Sequence, residues 1–98
     1  MIDGTYQVRI NTPFGRKTGI VALRVAGDTV LADIDAPIVG KRQARGRLEG
    51  DEFTAEGAFK LKFMGNISFS LRGKVIGDHL SVVIDSNKGT FELAGTRM

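Results

Sequence analysis

Few residues in this chain have side chains suited to chemistry. Residues 41 to 47 read Lys-Arg-Gln-Ala-Arg-Gly-Arg, placing four cations in one short run of a chain with fourteen Lys and Arg. Such a run is the electrostatic footprint sought in a phosphate-binding surface. His79 is the single histidine and Tyr6 the single tyrosine, and both are candidates for proton transfer. With no cysteine there can be neither disulfides nor thiolate metal sites. A lone histidine and acids dispersed over turns and outer faces leave no metal site and no cofactor to expect. Gly15-Arg16-Lys17-Thr18-Gly19 resembles a phosphate loop superficially, but it lacks the Walker spacing and a following helix, and it reads as a turn entering a strand.

Whether any of these groups acts depends on the elements that hold them. A hydrophobic content of 42% and a charged content of 26% describe an ordinary globular chain. At 98 residues it forms one domain, 1–98, of a size that buries somewhat over about 60% of its unfolded surface. The N-terminal residues show no basic segment followed by an apolar core, and no apolar run approaches the roughly 18 residues of a membrane span. A soluble cytoplasmic protein with no membrane partner is the expectation. The net charge of +3 permits an anionic partner without requiring one.

Period-two alternation runs through the chain, and sustained helical periodicity is absent. Ile67, Phe69, Leu71 and Val75 share one face of a segment whose other face carries Ser68, Ser70, Arg72 and Lys74, the pattern of a half-buried strand. Gly27-Asp28, Gly50-Asp51 and Gly77-Asp78 each separate two alternating segments. Gly at the first central position of a two-residue hairpin supplies the positive φ of a type II′ turn. Counting outward from each turn pairs Val25 with Val30, Leu23 with Ala32 and Val21 with Ile34. The second turn pairs Leu48 with Phe53, Gly46 with Ala55 and Ala44 with Gly57, and the third Val75 with Leu80, Gly73 with Val82 and Leu71 with Ile84. Apolar and small residues therefore face one another in all three hairpins.

Thr12-Pro13-Phe14-Gly15, Met64-Gly65-Asn66 and Ser86-Asn87-Lys88-Gly89 supply further turns, and residues 36–40 form the longest irregular link. Eight strands follow, near 4–12, 17–26, 29–36, 41–49, 52–63, 66–76, 79–85 and 90–97, joined in sequence as an antiparallel meander. Closure removes the two exposed edges of such a meander. The fold class is therefore all-β, a small eight-stranded antiparallel up-and-down barrel.

This arrangement decides the role of the basic run. Alternation along 41–49 turns Lys41, Gln43, Arg45 and Arg47 outward, with Arg42 the exception, while Ala44, Gly46 and Leu48 point inward. Arg45 lies opposite Glu56, and Asp33 and Asp35 share the outer surface. Residues 28–56 contain seven acids and four bases, an interleaving unsuited to a phosphate backbone, and the outer face lacks stacking aromatics. The run reads as a solvated charge ladder with no nucleic-acid partner. His79 follows a Gly-Asp turn and reads as a solvated loop residue.

Tyr6 and Arg97 sit at the two chain ends, which closure brings side by side, and an Arg over an aromatic ring there is a barrel-closing cation–π contact. Gly4-Thr5-Tyr6 with Arg97 resembles the lipocalin, or more broadly calycin, pattern of an early Gly-x-Trp covered by an Arg of the last strand, with Tyr6 in place of the Trp. Thr12-Pro13-Phe14-Gly15, the Gly-Asp hairpins and Gly89-Thr90-Phe91 to Gly95-Thr96-Arg97 resemble small uncharacterised bacterial lipocalin-like proteins across nearly the whole chain. The resemblance implies a barrel without specifying a substrate.

The function expected is non-enzymatic binding of a small apolar ligand against Tyr6, Phe59, Phe63, Phe69, Leu71, Ile84 and Phe91. Ala44, Gly46, Ala55, Gly57 and Gly73 cluster on adjacent strands, and their small side chains are expected to leave internal volume. The alternative is a structural or accessory subunit acting through its outer surface or as a homodimer, with Ile20, Ala22, Leu31 and Val83 as the contact patch.

Overall fold

The alternating pattern becomes eight strands: β1 Gly4–Thr12, β2 Gly15–Ala26, β3 Thr29–Ala36, β4 Gly40–Glu49, β5 Glu52–Leu61, β6 Gly65–Ile76, β7 His79–Ser86 and β8 Gly89–Arg97. The computed structural model describes residues 2–12, 15–36, 40–61 and 65–98, without the side chains of residues 11, 12 and 61. Each strand pairs antiparallel with its neighbours in sequence, and β8 pairs with β1, so the sheet closes into a barrel. The closing seam runs from Tyr6–Arg97 to Ile10–Leu93. Closure satisfies the backbone groups that two free edge strands would otherwise present to other chains.

Gly27, Gly50 and Gly77 adopt φ of 64°, 66° and 61°, and no described non-glycine residue has positive φ. That combination suits a type II′ hairpin, in which only the first central residue needs the left-handed region. Register follows: Val25 faces Val30 and Leu23 faces Ala32, Leu48 faces Phe53, and Val75 faces Leu80. One counted pair does not form. The β4–β5 ladder stops at Arg45–Glu56, short of Ala44 and Gly57, although both strands continue. On the outer face Arg45 opposes Glu56, while the ion pairs there are Arg24–Asp33, Arg47–Asp28 and Lys74–Glu52.

The three Gly-Asp turns lie at one end of the barrel, and each extends the next ladder by one bond. Leu48 N–H donates to Asp28 C=O at 2.8 Å, Val75 N–H to Asp51 C=O at 3.4 Å and Arg97 N–H to Asp78 C=O at 2.8 Å. At the corresponding place beside β1, the Asp3 carboxylate accepts from Val25 N–H at 2.9 Å. All four even-numbered strands thus have a donor satisfied at this end, three by turn carbonyls and one by a side chain.

The core is densest in this half. Tyr6, Val8, Leu23, Val30 and Leu80 are fully buried, and Ile2 folds over the same end to join their cluster. The space expected beside Gly57 and Gly73 is occupied. Phe53 faces Gly73 and Phe69 faces Gly57 across the β5–β6 ladder, and each ring lies against its glycine's backbone. A Cβ at Gly57 would come 2.8 Å from the Phe69 ring, and one at Gly73 would overlap the Phe53 ring. Glycine permits the tight bending that barrel closure needs, and the cross-strand ring replaces the burial that glycine lacks.

Gly73→Ala is therefore expected to destabilise the barrel by about 1 to 3 kcal/mol through overpacking. Adding Phe53→Leu is expected to recover part of that loss, so a double-mutant cycle by urea denaturation returns a non-zero coupling.

Candidate functional site

The inner face differs between its two ends. At the turn end, Gly4-Thr5-Tyr6 and Arg97 meet across the seam. The Tyr6 hydroxyl donates to Ile2 C=O at 2.7 Å, and the Arg97 guanidinium carbon lies 5.0 Å from the Tyr6 ring centroid. Arg97 Nε donates to Asp78 Oδ1 at 3.2 Å, and Nη1 donates to Asp3 C=O. A Cβ at Gly4 would meet that guanidinium, so a residue with no side chain is required for Arg97 to cross β1. Burial raises the Tyr6 phenol above its usual range; the Arg97 charge works against this, and Asp3 and Asp78 reinforce it. These groups tie the chain termini to the turns. A concavity of about 350 Å³ among the turns at this end is bounded by Ile2, Val25, Leu48, Val75 and Arg97.

At the other end several inward positions are only half-buried, although Ile67 and Ala36 there are buried. Phe59, Phe69, Ile84 and Phe91 all keep part of their surface exposed, as do Ile34 and Leu93. Phe59 and Phe69 contact one another at 5.9 Å between centroids with a 58° tilt, and Phe91 faces Ile84 across β7–β8. Leu71 is buried deeper, facing Ile84 on one side and Ala55 on the other. Phe63 lies outside the described residues. Of the expected ligand residues, Phe59, Phe69, Leu71, Ile84 and Phe91 thus gather toward one end, while Tyr6 is fully buried toward the opposite, turn end.

Sequence reasoning did not separate these two halves, because alternation assigns a face and not a depth. It also marked Arg42 only as an exception to the outer ridge. In the structure Arg42 sits on the inner face, opposite Ile34, with its guanidinium carbon 5.2 Å from the Phe59 ring centroid.

The remaining candidates fall elsewhere. His79 is exposed at the start of β7, opposite Thr96 on β8. Among the described residues no group of three or more His, Cys, Asp or Glu is placed to hold a metal. The outer apolar residues do not form a single patch. Ile20, 42% exposed, has Gln7 and Asp35 as lateral neighbours, and Val83, 41% exposed, has Arg72 and Glu92. Leu31 lies between Arg24 and Arg45.

The barrel has counterparts among solved structures. A redesigned β-barrel superposes with a TM-score of 0.67 at 14% identity, covering 99% of this chain and 91% of that one. A de novo designed fluorescence-activating β-barrel gives 0.65 at 16% identity, covering 99% and 94%. Identities this low establish the fold alone: this chain is an eight-stranded antiparallel β-barrel. No protein-family model matches the chain, and no curated protein does.

Because the chain has one tyrosine and no tryptophan, Tyr6 can be titrated by tyrosinate absorbance without overlap. Its folded phenol holds its proton to higher pH than the unfolded one. The associated stability is complete below the unfolded value of about 10 and is lost as pH rises through the folded value. Tyr6→Phe is expected to remove that alkaline decline and, at neutral pH, to lower stability by about 1 to 2 kcal/mol, because the Ile2 carbonyl is left without its buried donor. Chemical denaturation of both proteins across the alkaline range measures both effects.

Proposed function

We propose that this chain is a lipocalin-like carrier of a small apolar molecule, without catalytic action, and that the ligand enters at the half-buried end. One observation supports the reading above others: Phe59, Phe69, Ile84 and Phe91 point inward yet remain partly in contact with solvent, while Tyr6, Val8, Leu23, Val30 and Leu80 toward the opposite end are fully buried. An inward-facing aromatic surface left in water gains free energy when an apolar molecule covers it. The outer face offers less to a protein partner, because the described apolar residues on it are flanked by polar or charged ones.

The test uses Nile red, a neutral dye that brightens in apolar surroundings. Binding to the native protein is expected to raise its emission. Phe69→Ala is expected to weaken binding about tenfold or more, as loss of a large apolar contact implies. Native mass spectrometry of protein purified gently from its own source should also release an apolar compound in stoichiometric amount. Unchanged Nile red emission together with a bare apo mass would defeat the reading.

A further inference from the structure

Arg42 stands apart from the apolar floor beside it. It lies on the inner face of β4, stacked over Phe59, which in turn contacts Phe69. Its Nε is cut off from water and has no hydrogen-bond partner. No described acid answers it with an ion pair. Every Asp and Glu on the described strands occupies an outward position, and the others lie in the turns or before β1. Lys17 also occupies an inward position in this half and is half-buried, facing Ile10. Two basic residues thus occupy inward positions at this end, and no described acid shares that face.

Backbone pairing between β4 and β5 also stops short of this place. The β4–β5 ladder ends at Arg45–Glu56, although β4 continues back to Gly40 and β5 on to Leu61. Arg42 and Phe59 lie beyond that last pair, on strands no longer joined to each other.

A guanidinium N–H withdrawn from water without an acceptor carries an uncompensated desolvation cost. A carboxylate matches the planar fork of Arg and forms charge-assisted hydrogen bonds with it. We propose that Arg42 anchors the carboxylate of an amphipathic ligand whose apolar chain lies over Phe59 and Phe69. The inference rests on the carrier reading and adds the charge and orientation of the ligand, head at the unpaired β4–β5 seam and tail along the aromatic floor. A free small anion lacks the apolar contacts, and a neutral chain lacks the ion pair, so each binds more weakly than the two joined.

Isothermal titration with dodecanoate, dodecanol and acetate separates these contributions. The native protein is expected to bind dodecanoate about 10- to 100-fold more tightly than dodecanol, the range for hydrogen bonds to a charged group, and to bind acetate negligibly. Arg42→Gln is expected to abolish the preference while leaving dodecanol affinity unchanged. Its melting temperature should change little, because the lost stack on Phe59 is offset by removal of the unpartnered Nε–H. Arg42→Met, which retains the apolar stem on Phe59, provides a second charge-free variant and is expected to give the same result. Equal binding of dodecanoate and dodecanol by the native protein, or a preference that survives both substitutions, would overturn the anchor and leave the carrier reading standing. Failure of the native protein to bind either twelve-carbon chain would overturn both.

Discussion

Closure of β8 onto β1 is the constraint on which the rest of this structure depends. Without it, two strands would present unpaired backbone groups, and the inner face would lose the curvature that makes it an interior. The seam is one of the shorter ladders, and its turn end is reinforced by side chains. Arg97 links Tyr6, Asp3 and Asp78, and Asp3 supplies the acceptor that a Gly-Asp turn supplies elsewhere. The Met98 N–H adds a bond to the Thr5 carbonyl at 2.8 Å, just past the last pair of the seam. The chain ends are therefore held by the same kind of contact as the hairpins, with side chains substituting where the backbone connection is missing.

Curvature and core packing come from one device. Gly57 and Gly73 allow the β5–β6 ribbon to bend, and Phe69 and Phe53 lie over them from the partner strand. A side chain on the glycine and a ring on its partner cannot both occupy that space. The glycines consequently do not mark a void.

The two ends of the barrel thus have different physical character. One is packed by Ile2, Tyr6 and the residues beside the turns. The other carries a half-buried aromatic floor, with the Asn87 side chain tying the β7–β8 turn to β6 through Ser68 N–H and Asn66 C=O.

The sequence alone determined the strands, the Gly-Asp turns, the register of all three hairpins near those turns and the choice of inner and outer faces. These follow from alternation of period two and from the backbone freedom of glycine, which are local properties. It also placed Tyr6 and Arg97 together, because closure of a meander leaves the two chain ends adjacent. Tertiary structure alone decided that Ala44 and Gly57 do not pair, that Phe rings fill the glycine positions, and that Arg42 stacks on Phe59 with a buried, unpartnered Nε. Each of these depends on the distance between strands and on depth along the barrel axis. Closure sets both through curvature and stagger of the whole sheet, and no local pattern of residues records them.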